Sequence, residues 1–565
     1  MSTTSVETPA TPLLERHRET LEGALEAIAS RGYWSPYPEL PKAYGEDAPA
    51  AGLQAFKDGL NRRFSLEQPS SGEWVGEERS PYGFDLGITY PRADVDALSA
   101  AAAVALPAWR DAGVEARTGV ALEVLSRLNA RSHEIAHAVM HTTGQAFAMA
   151  FQAGGPHAQD RGLEAVAYAY QAMSAVPEEA LWEKPQGKRP PLRMRKRFTI
   201  VPRGVALVIG CNTFPTWNGY PGLFASLVTG SPVIVKPSSR AILPLAITVS
   251  VAREVLSEAG FSADTVSLAV GGPGERLAAV LAKRPEIRVV DYTGSTAFGE
   301  WLEWEARQAI VFTEKAGVNP IVIDSTGDYR GMLANIAFTL SLYSGQMCTT
   351  PQNFFVPREG IDTDEGHRSF EELTSDLGAA IDELVADSGR ACAILGAIAN
   401  ETVLDRLDRA GELGTVALAS KQIEHPEHPD AVVRTPAIVT VDRSDDPVAE
   451  IEHFGPVSLM IPTAGTDASL AALGRTVREH GAITAGVYST SEDVLSEAER
   501  VGLEAGVALS FNLTGGVYVN QSAAYSDFHA TGLNPAANSS LTDLAFVTPR
   551  FHVVQSREHV AEEPS

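Results

Sequence analysis

Cysteine is scarce in this chain: among its 565 residues the cysteines are Cys211, Cys348 and Cys392. Three thiols cannot build a disulfide framework for a chain of this size, which favours a reducing cytoplasm over an extracellular setting. The sequence also has no apolar run long enough to span a bilayer, and its start has no basic stretch followed by an apolar one. We therefore expect a cytoplasmic protein that is neither secreted nor inserted in a membrane.

Positive charge is also in short supply, because 45 Lys and Arg residues face 71 Asp and Glu residues and give a formal net charge of -26. Nucleic acids and anionic membranes both need a cationic face, so we expect neither as a partner. The stretch 184–203 is a local exception, rich in Arg and Lys. We interpret it as an exposed strand arm with a solvated face.

The length and the apolar content of 44% predict a globular protein with two or three domains. Residues 11 to 32 predict an N-terminal helix that Thr11 caps and Gly32 ends. Its role is packing, since one face carries Leu14, Leu21, Leu25 and Ile28.

Short apolar runs alternate with helical stretches between positions 201 and 323. The runs lie at 205–209, 233–235, 266–270, 289–290 and 321–323. This alternation predicts an α/β fold, with a parallel sheet covered by helices on both faces. Such sheets bind ligands beyond the carboxyl ends of their strands.

Two strand ends carry residues suited to a dinucleotide. Lys236 follows a buried run and could hold a ribose or a phosphate. Gly294 and Ser295 form a small turn before a helix, where the backbone can approach a phosphate and the helix N-terminus favours an anion. An ordinary capped turn explains the second signal equally well.

The strongest chemical signal is Cys348, in the segment SLYSGQMCTTP that closes a long apolar helix pattern. Glu314 lies 34 positions upstream, in the segment EKAGVNP. A thiol nucleophile and a carboxylate base are the two groups that covalent oxidation of an aldehyde requires. Considered alone, Cys348 would be interpreted as a small buried residue.

The order of these motifs resembles the aldehyde dehydrogenase superfamily, from Trp74 to Val554. In chain order the motifs are Lys236-Pro237, Gly294-Ser-Thr-x-x-Gly299, Glu314-x-x-Gly317-x-x-Pro320, Gly345-Gln-x-Cys348 and Glu452-His-Phe454-Gly-Pro456. The resemblance implies a Rossmann-type cofactor domain, an α/β catalytic domain and a β-arm for oligomerisation. It implies a helical extension at 1–70, a dinucleotide-binding domain at 71–183 and 204–316, an arm at 184–203 and 535–556, and a catalytic domain at 317–534.

The resemblance also assigns roles to single residues. It makes Cys348 the nucleophile and Glu314 the general base, which activates the water that hydrolyses a cysteine thioester. Lys236, Ser295 and Glu452 would contact the cofactor. Phe454 would lie near its nicotinamide.

Two positions depart from the family pattern. The side-chain donor of the oxyanion hole is usually an asparagine two residues before a proline, but that position is Thr213 here, with Asn212 one place earlier. Both remain candidates, and the amide of Asn212 matches the family chemistry better. Ser239 stands where NAD-preferring relatives often carry a glutamate, and Arg240 follows it. Because this pair would tolerate or bind a 2′-phosphate, NADP is expected as the preferred cofactor, with NAD possible.

The ending Tyr525-Ser-Asp-Phe-His-Ala-Thr-Gly-Leu-Asn-Pro535 resembles that of the phenylacetate-degradation aldehyde dehydrogenases. This implies a coenzyme A-linked semialdehyde as substrate and a homodimer or homotetramer as the assembly. A coenzyme A-acylating dehydrogenase is the rival activity, and a non-catalytic protein on the same fold is the alternative from another class. His529 and His453 are candidate acid/base groups, but neither has a metal-ligand spacing with cysteine, so packing or surface roles are favoured for both and no metal site is expected.

Overall fold

The computed structural model describes residues 11–315, 317–443 and 446–561 of the chain. Its strands are β1 (Trp74–Val75), β2 (Tyr90–Pro91), β3 (Glu179–Gln186), β4 (Arg189–Pro202), β5 (Val205–Ile209), β6 (Val233–Lys236), β7 (Val266–Leu268), β8 (Ile287–Thr293), β9 (Ile310–Glu314), β10 (Asn319–Ile323), β11 (Ser325–Thr326), β12 (Pro351–Pro357), β13 (Ile361–Thr363), β14 (Gly366–Arg368), β15 (Thr415–Leu418), β16 (Gln422–Ile423), β17 (Val433–Arg434), β18 (Ala437–Thr440), β19 (Val457–Thr463), β20 (Thr484–Tyr488), β21 (Ala508–Phe511) and β22 (Phe551–His559).

The helices are α1 (Thr11–Arg16), α2 (Arg18–Ser30), α3 (Ala48–Gly59), α4 (Val95–Asp111), α5 (Gly113–Ala130), α6 (Ser132–Thr143), α7 (Phe147–Gly154), α8 (Pro156–Ser174), α9 (Pro215–Thr229), α10 (Leu243–Glu258), α11 (Leu277–Ala282), α12 (Thr296–Glu305), α13 (Tyr329–Ser341), α14 (Phe370–Leu384), α15 (Ser388–Leu395), α16 (Glu401–Asp408), α17 (Thr466–His480), α18 (Glu492–Ala505) and α19 (Leu544–Val547). Within the described ranges, none of the helices combines the length and the apolar character that crossing a membrane requires.

The first large sheet has the strand order β7-β6-β5-β8-β9, and all its neighbours are parallel. Its central strand β5 is buried throughout, because helices cover both faces of the sheet. The register pairs Ile209 with both Lys236 and Tyr292, and Thr293 with Glu314. Parallel alignment therefore brings Lys236 and Glu314 to the same side of this sheet, at the carboxyl ends of its strands.

A second sheet has the order β15-β18-β19-β12-β10-β20-β21, and within it only the edge strand β15 is antiparallel to its neighbour. Strands β9 and β10 belong to different sheets, and a short connection joins Glu314 to Asn319. The predicted α/β fold with a Rossmann-type parallel sheet is confirmed. The connection between β9 and β10 puts the candidate base at the junction of the two sheets.

The third sheet is an antiparallel arm with the order β22-β4-β3. It confirms the exposed basic strand, since Arg193 and Arg195 form ion pairs with Glu183 and Glu179 on the neighbouring strand. Two predicted boundaries are wrong. The arm begins at Glu179, within a region expected in the cofactor domain, and its C-terminal strand begins at Phe551 and not at 535.

The segment 535–550 packs on the first large sheet, because its polar groups bond the edge strand β9. The Asn538 side chain accepts a hydrogen bond from the Thr313 backbone N–H (2.9 Å), and Ala537 forms a bridge with Glu314. Phe546 is fully buried against Phe312. This stretch therefore supports the site and forms no part of the arm.

The N-terminal helix is also divided differently from the prediction. It breaks at His17 into α1 and α2, and it ends at Ser30, with Arg31 rather than Gly32 in the left-handed conformation (φ 58°). Leu14, Leu21 and Ile28 are buried in the main core, as their common face predicts.

A buried ion pair joins the C-terminal segment to the first large sheet, and a substitution that removes it should destabilise the protein. Arg550 is fully buried and binds both carboxylate oxygens of Asp291 on β8, at 2.8 and 2.5 Å. We expect Asp291→Asn to lower the free energy of unfolding by about 3–5 kcal/mol, because it leaves a buried guanidinium without its counter-charge. Denaturant unfolding measures this loss.

Asp362→Asn, at an exposed ion pair with His367, is the matched control and should change stability little. Equal unfolding midpoints for Asp291→Asn and wild type would contradict the expectation.

Candidate functional site

Cys348 follows a strained turn at the end of α13. Tyr343, Ser344 and Gly345 take left-handed backbone conformations in succession, with φ of 54°, 48° and 61°. For a residue other than glycine this conformation costs on the order of 1–3 kcal/mol and persists where surrounding contacts impose it. Here the Tyr343 hydroxyl donates to the Thr143 carbonyl at 2.5 Å, and the Ser344 hydroxyl lies 2.9 Å from the Arg434 carbonyl. These contacts hold the turn that presents the Cys348 thiol.

Glu314 is the last residue of β9 and is buried. The Asn218 amide donates to one carboxylate oxygen at 3.0 Å, and His529 Nε2 lies 3.2 Å from the other. Burial raises the pKa of Glu314, but the charge of His529 and hydrogen bonds from His529, Cys348 and Asn218 outweigh it and leave the pKa below its ordinary value. The carboxylate is therefore ionised at neutral pH and able to accept a proton.

Cys348 lies within reach of this pair. Its Sγ is 3.8 Å from His529 Nε2, and the donor atoms of Cys348, Glu314 and His529 lie within 4.8 Å of one another. Burial, together with the nearby charge of Glu314, raises the pKa of the Cys348 thiol well above its ordinary value. Thiol, carboxylate and imidazole are also metal ligands, and the expected absence of a metal site stays a prediction.

The structure brings His529, a candidate acid/base group for which the sequence favours a packing or surface role, into contact with both Cys348 and Glu314. His529 lies 181 positions from Cys348, and no spacing pattern links them. The available signal was its place inside the C-terminal landmark. His453, by contrast, bonds the Val448 carbonyl at 2.9 Å and keeps its packing role.

Asn218 is a site residue without a sequence signal. It lies in the first turns of α9, and its amide oxygen accepts from the Cys211 thiol at 3.6 Å while its amide nitrogen bonds Glu314. Burial raises the pKa of Cys211 to about 11, so this thiol stays protonated and acts as a donor. The Cys211 thiol thus helps to orient the Asn218 amide, which in turn bonds the Glu314 carboxylate.

The two predicted oxyanion donors lie beside the site. The Asn212 amide donates to the Thr142 carbonyl at 3.3 Å, and the Thr213 hydroxyl lies 3.9 Å from Cys211 Sγ. Neither lines the cavity at Cys348, whereas Asn218 does. The assignment of the oxyanion donor to Asn212 or Thr213 therefore stays a prediction.

Cys348 and His529 line a cavity of about 560 Å³. The N-terminal extension contributes Tyr33, Trp34 and Glu39 to its lining, and Trp217 also lines it. The extension therefore forms part of the chamber that leads to the thiol, a role that its sequence did not reveal.

A separate cavity of about 340 Å³ lies beyond the carboxyl end of β6. It brings Lys236, Ser239 and Arg240 together, next to the glycine-rich turn 271–274. Lys236 is half-buried, and burial lowers the pKa of its ammonium group. An ammonium group, a hydroxyl and a guanidinium beside an open glycine turn fit the ribose and phosphate end of a dinucleotide.

The other predicted cofactor residues lie outside that cavity. Gly294 and Ser295 precede α12, where the Tyr292 hydroxyl donates to the Ser295 carbonyl at 2.9 Å. Glu452 and Phe454 line a narrow crevice with Met347, the neighbour of Cys348. Burial raises the pKa of Glu452 to about 7. The cofactor roles of these four residues stay predictions.

Comparison with known proteins identifies the family. The model of the aldehyde dehydrogenase family matches residues 88–531. The chain belongs to that family. As an aldehyde dehydrogenase it is an oxidoreductase that uses NAD(P)+, and the predicted superfamily, fold and enzyme class are confirmed.

Individual relatives agree with this assignment. A crystal structure of an NAD-dependent aldehyde dehydrogenase from Burkholderia multivorans is 58% identical, covers 98% of this chain and 99% of its own, and has a TM-score of 0.96. The N-succinylglutamate 5-semialdehyde dehydrogenase of Paraburkholderia xenovorans is 27% identical over 459 residues, which are 80% of this chain and 85% of that protein. A 1-pyrroline-5-carboxylate dehydrogenase from Thermus thermophilus shares the fold, with a TM-score of 0.73 at 19% identity over 94% of this chain and 99% of its own.

Proposed function

We propose that this aldehyde dehydrogenase oxidises its substrate to a carboxylic acid through a thioester on Cys348. The observation that carries the proposal is the position of the thiol, in the lining of a large cavity and beside an ionised, buried carboxylate. The Sγ atom attacks the aldehyde carbon, and the carbonyl electron pair moves to oxygen. A bound nicotinamide dinucleotide supplies the hydride acceptor.

Glu314 serves the second half of the reaction in this proposal. The thioester must be hydrolysed, and a carboxylate held ionised by Asn218 and His529 can take a proton from water. A coenzyme A-acylating enzyme uses the thiol of coenzyme A at this step and has no need of that base. The placement of Glu314 beside Cys348 therefore favours hydrolysis over acyl transfer.

The electrostatics of the chamber support a neutral aldehyde as substrate. Of the described residues that line it, none is Lys or Arg. Glu39 is paired with His157, and burial raises the pKa of Asp160 well above its ordinary value, so Asp160 is neutral. An anionic substrate would leave its charge without a partner in such a chamber.

Aromatic walls favour an aromatic or other bulky apolar group next to the aldehyde. Trp34, Trp217 and Phe338 line the chamber and offer ring faces and edges for stacking. This argues for a free aromatic aldehyde, in preference to the coenzyme A-linked semialdehyde expected from the sequence. Several curated relatives are named for semialdehydes, among them those of N-succinylglutamate and α-ketoglutarate. Membership of the phenylacetate subfamily and a cytoplasmic location stay predictions.

For the cofactor we propose NAD+ in preference to NADP+, against the expectation from Ser239 and Arg240. The carboxylate of Glu77 lines the same cavity as Lys236 and Arg240, and Glu275 also lines it but is ion-paired with Arg92. Glu77 would repel a 2′-phosphate and offset part of the attraction of Arg240. The closely similar Burkholderia multivorans enzyme is NAD-dependent by name.

We also propose a homo-oligomer formed through the arm. Apolar side chains that are 41% to 59% exposed lie on its strands and leave an uncovered apolar surface: Leu181, Leu192, Val553 and Val554.

The chemical roles are tested by two variants that fail at different steps. Glu314→Gln should keep a rapid burst of NADH but lose about 10²–10⁴-fold in steady-state turnover, because hydrolysis loses its base. Cys348→Ala, the control, should show neither burst nor turnover while still binding NAD+. Stopped-flow absorbance of NADH measures both phases. Turnover in Cys348→Ala would refute the covalent route, and a Glu314→Gln enzyme without a burst would place Glu314 before hydride transfer.

Cofactor preference is tested by the ratio of kcat/KM for NAD+ and NADP+. Wild type should prefer NAD+, Glu77→Gln should raise the relative use of NADP+, and Arg240→Gln should lower it. Each charge change acts on the 2′-phosphate that only NADP+ carries. A wild-type preference for NADP+ would refute the proposal and support the sequence-based expectation.

Substrate class is tested by comparing phenylacetaldehyde with succinic semialdehyde. Wild type should favour the aromatic aldehyde by about tenfold or more in kcat/KM, since a neutral aromatic chamber rejects an unpaired carboxylate. Tyr33→Ala should narrow this ratio by removing an aromatic wall. Leu40→Ala, at an exposed apolar residue outside the chamber lining, should leave it unchanged. Preference for succinic semialdehyde, or for a coenzyme A-linked aldehyde, would contradict the neutral-chamber argument.

A further inference from the structure

We propose that His529 is a catalytic residue, which accepts the proton of the Cys348 thiol and holds the thiolate as an ion pair. This inference rests on the proposed role of Cys348 as nucleophile. It assigns a function to a side chain that the reaction described above does not use. It also separates the duties of two bases, His529 for the thiol and Glu314 for water.

The contacts of His529 indicate which of its ring nitrogens accepts the proton. Ser522 Oγ lies 3.2 Å from Nδ1 and can accept a hydrogen bond from Nδ1–H. With the proton on Nδ1, Nε2 is the acceptor, and it lies 3.8 Å from Cys348 Sγ and 3.2 Å from Glu314 Oε1, so a proton that moves from the thiol to Nε2 comes to lie beside the carboxylate. The Trp217 ring packs edge-on against the imidazole at 4.8 Å and restricts its rotation.

The surroundings of the thiol create the need for such a partner. The carboxylate of Glu314 and burial both oppose a bare thiolate at Cys348. Of the described residues that line the chamber, none is a Lys or Arg that could compensate the negative charge. An imidazolium at His529 supplies the missing positive charge in direct contact with Sγ.

Glu314 is the less suitable acceptor for the thiol proton. Once Nε2 is protonated, the charge of His529 and the hydrogen bond from the Asn218 amide hold the pKa of this carboxyl below its ordinary value. The same contact lets Glu314 balance the charge of a protonated His529, at 3.2 Å. The trio thus carries one net negative charge when the thiolate forms, and the carboxylate remains available for water.

The proposed step is a simple proton transfer. The S–H bond of Cys348 breaks and an N–H bond forms at His529 Nε2. The freed Sγ lone pair attacks the aldehyde carbon, whose C=O electron pair moves to oxygen. No further reactant is needed at this stage.

Other titratable groups surround this pair and bear on its pH dependence. Cys211 lies behind Asn218, and its thiol stays protonated because burial raises its pKa to about 11. On the far side of Trp217, Arg161 approaches the indole ring to 5.2 Å and is paired with Glu164 at 2.8 Å. Asp160 also lines the chamber and is neutral because burial raises its pKa. His529 is therefore the proton acceptor in direct contact with both Cys348 and Glu314.

The pH dependence of Cys348 alkylation tests the proposal without any substrate. Iodoacetamide reacts with the thiolate, and peptide mass analysis separates Cys348 from Cys211 and Cys392. Wild type should be alkylated at neutral pH, because His529 accepts the thiol proton and pairs with the thiolate. His529→Gln should lose about 10²-fold or more at neutral pH and recover only in alkaline solution. His367→Gln makes the same change at an exposed histidine and should match wild type.

Two further variants separate catalysis from a structural role. His529→Ala should be rescued by added imidazole, which can enter through the chamber that His529 lines. Ser522→Ala removes the group that positions Nδ1 and should shift the profile in the same direction by a smaller amount. NAD+ binding reports whether each variant is folded.

Several outcomes would overturn the proposal. They are a wild-type pH profile in His529→Gln, a loss of equal size at every pH, or no rescue of His529→Ala by imidazole. If the His529 variants fail to fold, an unchanged profile in Ser522→Ala overturns it. Failure here is distinct from failure of the proposed function, because Cys348→Ala would then still lack turnover.

Discussion

A buried, ionised carboxylate at the junction of two sheets is the constraint on which this structure depends. Glu314 is the last residue of β9 in the first large sheet, and the chain enters β10 of the second sheet a few residues later. A charge buried there is tolerated only if its oxygens are bonded and a positive group lies nearby. Asn218 from α9 and His529 from the C-terminal segment meet these needs, and the Ala537 bridge fixes the strand end. The site therefore exists only when both sheets and the segment 520–550 are in place.

The thiol is held by a different device, a turn with three successive left-handed residues. Gly345 has no alternative there, because a Cβ atom would lie 2.8 Å from the Gly455 carbonyl oxygen. Tyr343 and Ser344 accept the conformation because their hydroxyls bond carbonyls of distant elements. Those contacts offset the cost of the left-handed backbone, and the turn places Cys348 near the Glu314 carboxylate. The backbone before the nucleophile therefore departs from a regular helix.

Local pattern predicted those parts of the molecule that local chemistry determines. Apolar runs marked the parallel strands, and the motifs at Cys348 and Glu314 marked the reacting groups. The sequence marked His529 only as a candidate acid/base group and could not place it beside Cys348, because that contact arises from chain folding across 181 positions and a single histidine carries no periodicity. The helix break at His17 and the late start of β22 escaped prediction for a related reason: tertiary contacts at the ends of elements outweigh propensity there.

The two cavities of this acidic protein differ in the charged side chains that line them. In the chamber at Cys348, Glu39 is paired with His157, and burial raises the pKa of Asp160 well above its ordinary value. The cavity beyond β6 gathers Lys236 and Arg240 against two carboxylates, so it can bind a phosphate or ribose without a strong excess of charge. A net charge of -26 repels anions over the whole surface, and binding of an anionic dinucleotide must therefore depend on these few local cations. The chamber has no Lys or Arg among its described lining residues, so in the proposed reaction the aldehyde is selected by the shape of the chamber and by its aromatic side chains, some of which belong to the N-terminal extension.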